Sequence, residues 1–504
     1  MASRQLKSGA LLSYAGVVFN AVAGLLYTPW MIQSIGSSNY GLYTLAISVI
    51  NFFLLDFGLG DAVSRFLSKY YAEGREDLAD AFLGVVYKIY FLGAACIAIA
   101  LIVIFLFIDQ IYGNLTPEEL STFKVLYAVI ALYSVISFPF TSFNGILTAN
   151  EKFFALNLCN LLQKICTVGL IVLALICGMG VFALVAVNAI SSLSFVVVKY
   201  IVIKKTTRVS PTFKNAPKGL AKETLGFSFW AMIVQICQRF IFSVMPTILA
   251  AVSNSWEIAV FGLASSLEGY VWTVANALNG MFMPKVSRVL AGKENEGTLQ
   301  NLTMKLGRIQ LYVVGGVVVA FAAIGMRFVE CWVGPDYSVL FACTLLLIAP
   351  DIIDLPLMIA NTAIIASGEV RARGIVYIVM SALNIALGFP LAMGFGALGA
   401  CASICIAYFV RTAGMCLLYK KKLDLNLSSF AKATYPKWII VSIAVFLASS
   451  AFSSWLQISG WPGFAITAVV FVVLYCVLCF LIAFNQYEKN LALSVIGRFT
   501  KKGR

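Results

Sequence analysis

The sequence predicts an all-α integral membrane protein with about fourteen transmembrane helices, built as two pseudo-symmetric six-helix lobes followed by two further helices. Three observations predict it. Apolar runs of about twenty residues recur along the chain. Lysines and arginines crowd into every second loop. A set of landmarks in the first half returns in the same order in the second.

The apolar runs come first. Of 504 residues, 61% are hydrophobic and only 12% are charged. Soluble cores cannot hide that much apolar surface, whereas lipid solvates it. The runs fall at 10–35, 39–60, 82–108, 122–146, 153–177, 180–203, 225–251, 257–283, 308–328, 338–366, 372–393, 396–419, 437–456 and 462–484. Each is long enough for a hydrocarbon core of about 30 Å. The first run is too long for a cleaved signal peptide and no small-residue cleavage site follows it, so it reads as a span.

Charge then orients the spans. With the N-terminus placed inside, 29 of the 36 Lys and Arg fall on the cytoplasmic side and only Arg327 falls in an opposite loop. An even number of spans with both termini cytoplasmic accounts for this asymmetry. The net charge of +14 therefore reflects topology and contact with anionic lipid, and no nucleic-acid partner is expected. Segments 61–80 and 284–305 are charged and amphipathic and read as interfacial. Trp30, Trp332, Trp438 and Trp461 lie near span ends and read as interface anchors.

The repeat divides the chain. Tyr40, Gly41 and the later Val63, Ser64, Arg65 correspond to Phe261, Gly262 and Val286, Ser287, Arg288. Pro139 and Asn144 lie 217 residues before Pro356 and Asn361, and Gly178 lies 216 before Gly394. The unit is six spans, so both copies cross in the same direction. The expected organisation is an N-terminal lobe 1–205, a basic cytoplasmic linker 206–224 with Pro211 and Pro217, a second lobe 225–422, and two extra helices with a basic tail over 423–504. Pseudo-symmetric lobes with a site between them are the usual build of an alternating-access carrier.

No catalytic set is legible. The chain has no His, and its twelve Cys, all but Cys331 in apolar segments, show no metal-ligand spacing. There is no GxxxxGK[ST] and no GxSxG. No cofactor, metal or enzymatic activity is expected.

Charged groups inside the spans carry the functional reading, because an ionisable group at mid-bilayer costs about 2.5–3.5 kcal/mol on insertion scales. Lys164, Arg239, Glu268, Asp351 and Asp354 lie deep, whereas Asp56, Lys88, Lys124, Lys199 and Arg411 lie nearer span ends and read as snorkelling. The deep charges sit on polar stripes at helical spacing: Asn157, Asn160, Lys164 and Thr167; Ser228, Gln235, Arg239 and Ser243; Glu268, Trp272, Asn276 and Asn279; Asp351, Asp354, Met358 and Asn361. Two readings are open. The stripes line a polar cavity, or they are glue between helices with ion pairs such as Arg239 with Glu268. Trp272 either stacks on a sugar or packs.

The stretch 36–77 carries Ile35, Gly36, then Tyr40, Gly41, Leu42, Tyr43, then Leu54, Leu55, Asp56, Phe57, Gly58, Leu59, Gly60, then Arg65, Phe66. It resembles the N-terminal lobe of the Wzx-type polysaccharide flippases, of the multidrug/oligosaccharidyl-lipid/polysaccharide exporter superfamily. The segments around Asn150, Glu151, Lys152 and over 394–400 fit as well. The resemblance implies a carrier moving an undecaprenyl-pyrophosphate-linked oligosaccharide to the outer leaflet, with a polymerase and glycosyltransferases as partners. Lys164 and Arg239 would hold the pyrophosphate. Asn157, Asn160, Gln235, Trp272, Asn276 and Asn361 would replace sugar hydration. Glu268, Asp351 and Asp354 would take a proton or cation, or neutralise Lys164 or Arg239. A multidrug or cation antiporter, or a lipid II flippase, are the alternatives.

Overall fold

The computed structural model describes residues 2–53, 59–207, 209, 211–213, 220–290, 299–456, 458–490 and 493, with side chains except at 2–11, 14, 52–53, 61, 220–228, 231 and 277–290. The motif around Asp56, the linker residue Pro217, the side chains of Ser228 and Asn279, and the tail beyond 493 lie outside it.

The described chain is helical throughout: α1 (Ala2–Ile35), α2 (Ser37–Phe53), α3 (Leu59–Ala72), α4 (Glu76–Leu106), α5 (Pro117–Ala149), α6 (Phe153–Ile176), α7 (Val181–Thr206), α8 (Leu220–Val252), α9 (Ser255–Leu290), α10 (Leu299–Trp332), α11 (Pro335–Ala366), α12 (Val370–Leu423), α13 (Leu427–Trp455) and α14 (Gly460–Ala483). Twelve of these are long and apolar enough to cross a membrane. The described part of α2 has 17 residues, at the short end of that range. α12 counts twice, because Gly396 breaks it at φ 56°, ψ −135°. About fourteen crossings result among the described residues, as the hydropathy predicts.

Local chemistry sets the ends. Thr116 caps α5 by accepting from the Glu119 backbone N–H, and the Glu119 carboxylate accepts from the Thr116 backbone in return. Lys204 and Lys205 end α7, and Lys420, Lys421 and Lys422 end α12, where cations complement the helix dipole. At the α12 break the Ala397 N–H has lost its helical acceptor, and Glu257 Oε2 takes the bond at 2.7 Å. α3 is amphipathic as expected, burying Leu59, Val63, Phe66, Leu67 and Tyr70 and exposing Arg65 and Lys69.

In the second amphipathic segment, residues 284–290 belong to α9 and 299–305 to α10. Leu302 and Leu306 pack on Ile359. Two anchors are corrected. Trp332 and Trp438 are 3% and 5% exposed, because their rings fill gaps between helices.

The chain forms two compact units. The first comprises Met1–Gly262 and Tyr377–Ala400; the second comprises Leu263–Val376 and Cys401–Arg504. In the first, α1 packs on α6, α2 on α5 and α8, and α6 on α7. Ser381 and Asn384, on the first arm of α12, donate to the Cys237 and Ile241 carbonyls of α8. Their hydroxyl and amide have no water to turn to at this depth, so these bonds fix the contact.

The second unit is centred on α10, α13 and α14. A widened turn at Leu311–Gly315 interrupts α10. The Tyr312 carbonyl there accepts from the Tyr475 hydroxyl at 2.8 Å, which in turn accepts from Trp438 Nε1 at 2.9 Å. The two rings lie where side chains on Gly315 and Gly316 would otherwise be. Arg308, one turn earlier, holds Glu488 bidentately at 2.6 and 2.9 Å and also donates to the carbonyls of Ala433 and Ala483. Glu488 is 4% exposed. This network ties the extra helices to α10 through charge-assisted bonds.

Candidate functional site

Two constellations collect the deep polar residues, one in each unit. The first is a cavity of about 500 Å³. α6 lines it with Asn157, Asn160, Lys164 and Thr167, which step by three and four and so share one face. Asn20 and Tyr27 of α1, Tyr43 of α2 and Asn188 of α7 complete the polar wall. Asn188 Nδ2 donates to Tyr43 Oη at 3.1 Å, and the Thr167 and Ser191 hydroxyls pair at 2.5 Å. Hydroxyls and amides thus line a hollow with one cation, Lys164, whose side chain is exposed to it. No carboxylate lines this cavity among the described residues. It offers a fixed positive charge among hydrogen-bonding groups, which is the arrangement that receives an anion bearing hydroxyls.

Arg239 and Gln235, predicted for the same task, do not line it. Arg239, on α8, donates from Nη1 to the Asn51 carbonyl at 3.2 Å. This bond joins α8 to α2 within the first unit. Gln235 is half-buried one turn earlier on α8.

The second constellation joins α9, α11 and α12. Asp354 Oδ2 accepts from Arg411 Nη2 at 2.5 Å, and its Oδ1 lies 3.4 Å from the Thr412 hydroxyl. The Arg411 guanidinium lies over the Tyr408 ring, 4.2 Å from its centroid. Asp351 is 0% exposed, and both its carboxylate oxygens lack a hydrogen-bond partner among the described residues. Its charged neighbours are Glu268, Asp354 and Arg411. Glu268 is 5% exposed. Three carboxylates therefore surround one described guanidinium, in a place where uncompensated charge is costly.

The spacing of Asp351 and Asp354 does not announce Arg411, the partner of Asp354. Arg411 was expected to snorkel. It is 3% exposed, and α12 runs on to Leu423, about 18 Å further along the axis at 1.5 Å per residue. Its charge turns inward to Asp354 instead. The signal available was Tyr408 three residues before Arg411, which puts an aromatic face beside the cation.

The other predicted residues are accounted for singly. Trp272 packs half-buried on a cluster of Val271, Ala275, Val314, Val318 and Leu355. Asn276 is half-buried on the same helix. Asn361 is half-buried, and its Oδ1 has no hydrogen-bond partner among the described residues. Gln310, missed because it opens the span, is buried and donates to the Ala275 carbonyl at 3.1 Å.

About fourteen apolar helical segments, a polar cavity with one described lysine and a buried acidic cluster define a polytopic membrane protein. The chain belongs to a family described as polysaccharide biosynthesis protein, which matches residues 6–290. It is similar to an uncharacterised membrane protein, EpsK, of Bacillus subtilis (strain 168), with 21% identity covering 94% of each chain. Its fold is similar to that of a solved structure described as the lipid II flippase MurJ, inward closed conformation, at TM-score 0.68, 14% identity, and 93% and 98% of the two chains covered. An inward-facing MATE multidrug transporter is also similar, at TM-score 0.66, 15% identity, and 84% and 99% covered. The family found from the motifs of 36–77 therefore stands.

Proposed function

We propose that this protein is a flippase carrying an undecaprenyl-pyrophosphate-linked oligosaccharide across the cytoplasmic membrane by alternating access. The observation that carries the reading is the Lys164 cavity. A pyrophosphate and its sugars cannot enter hydrocarbon without replacing their hydration. Lys164 supplies the charge, and Asn157, Asn160, Asn20 and Asn188 supply donors and acceptors. Arg239 and Gln235, with Trp272, Asn276 and Asn361, belong to later stations of the path in this reading.

The lobes are 1–205 and 225–422, joined by the linker 206–224 and followed by the pair over 423–504. Both termini are cytoplasmic, as the loop charges require. Glu268, Asp351 and Asp354 are the coupling group: taking up a proton relieves an excess of negative charge that Arg411 alone does not balance. A polymerase and glycosyltransferases of a surface polysaccharide are the partners.

The experiment is flipping of a lipid-linked oligosaccharide in vesicles reconstituted with the full chain, with a pH gradient imposed. Flipping that is absent from protein-free vesicles and responds to the gradient supports the reading. Export of an organic cation with no flipping would replace it with the antiporter.

A further inference from the structure

The first unit carries a second hollow of different character, about 670 Å³, between α4, the middle of α5 and the end of α7. Its walls are aromatic: Tyr87, Phe91, Phe140, Phe143 and Tyr200 line it. The Phe140 and Phe143 rings are 5.4 Å apart, and Phe143 and Tyr200 are 6.3 Å apart, so the wall is continuous. Phe91 and Tyr200 are half exposed, at 53% and 52%.

The lip of the hollow is the chain that leaves α7, with Pro211 and Phe213. It is fastened down. The Thr212 N–H donates to the Asp80 carbonyl at 3.0 Å, and Lys88 Nζ donates to the Phe213 carbonyl at 2.9 Å. Gly84 permits the approach, since a Cβ there would collide with the Thr212 carbonyl.

Three lysines lie on the two helices that meet at this lip. Lys204 lines the hollow, Lys88 holds the lip, and Lys199 reaches Asn144 Oδ1 at 3.1 Å. None of the three has a carboxylate within ion-pair distance among the described residues. Aromatic walls below uncompensated lysines match the order of acyl chain and phosphate in a phospholipid. The orientation proposed above puts this end in the leaflet that carries anionic headgroups.

We propose that this cleft binds one anionic glycerophospholipid, with its phosphate at Lys204 and Lys88 and an acyl chain along Phe91, Phe140 and Tyr200. The bound lipid covers the lip and holds residues 211–213 against α4.

The full chain in nanodiscs of phosphatidylcholine doped with phosphatidylglycerol tests this, with native mass spectrometry reading which lipids stay bound. One phosphatidylglycerol is retained in preference to phosphatidylcholine. The variant Lys88→Gln/Lys204→Gln loses that preference by about tenfold or more, since each lysine contributes separately. Lys204→Gln alone, at the exposed end of α7, shows a smaller loss of the same sign if the double variant does not fold. Unchanged retention in folded variants overturns the proposal. So does displacement of phosphatidylglycerol by equimolar undecaprenyl phosphate, which would give the cleft to the substrate's own lipid. Transport is not read, so either failure leaves the flippase reading standing.

Discussion

Arg411 donates to Asp354 at 2.5 Å from within the second arm of α12, at 3% exposure. The pair links α11 to α12 and sets the charge around Asp351. Removing one partner of a buried pair leaves the other uncompensated, at a cost of about 3–5 kcal/mol. Arg411→Leu is expected to destabilise the protein on that scale, and Arg411→Leu/Asp354→Leu to recover much of the loss. Thermal unfolding of the purified protein measures both. A double variant as unstable as the sum of the singles would show that the pair does not interact.

Lys164 is expected to be needed for transport and not for folding, because its side chain is exposed to the cavity rather than packed. Lys164→Ala should abolish surface-glycan assembly with the protein at normal level in the membrane. Lys164→Arg should retain a fraction of it. Glycan assembly at wild-type level in the alanine variant would remove the anion site.

Asp351→Asn removes a carboxylate whose oxygens make no hydrogen bond among the described residues. Folding should be unharmed or improved, since a buried unpaired charge is lost. Flipping in vesicles should lose its response to a pH gradient. A variant that flips and still responds would exclude Asp351 from coupling.

Gly396 adopts φ 56°, ψ −135°, and a Cβ there would lie 2.6 Å from Glu257 Oε2. Gly396→Ala therefore meets both backbone strain and a collision with the carboxylate that satisfies Ala397. A loss of about 1–3 kcal/mol is expected from the strain. Melting temperature and yield in the membrane report it; a melt equal to wild type would mean the break relaxes.

Arg308 makes its bonds to Glu488 and two carbonyls in one buried network. Glu488→Ala should cost about 3–5 kcal/mol and make the last two helices the first part of the chain to be cleaved in limited proteolysis. Equal protection in both proteins would show that α10 holds those helices by apolar packing alone.

Span number, span position and most boundaries were legible because a bilayer demands runs of fixed length whose backbone bonds close within the helix. The break between the arms of α12 was legible for the same local reason, a glycine-rich turn at Gly394, Phe395 and Gly396. The α6 stripe was legible too, because Asn157, Asn160, Lys164 and Thr167 need only helical periodicity to share a face. Arg411 was not. Its sequence neighbourhood allows both snorkelling and burial, and the choice depends on Asp354, 57 residues away. Trp438 was misread for the same reason, since Gly315 and Tyr475 make the gap that its ring fills.

By itself, then, the sequence determined a membrane protein of fourteen crossings with two related halves and a polar face on particular helices. Those follow from periodicity and hydropathy, which are properties of short stretches. Only the tertiary structure decided which charges pair, that Lys164 shares its cavity with Asn20, Tyr43 and Asn188, and that Asp351 is enclosed with Glu268 and Arg411. Pairing and enclosure are set by contacts between distant helices, and no local pattern encodes the distance between them.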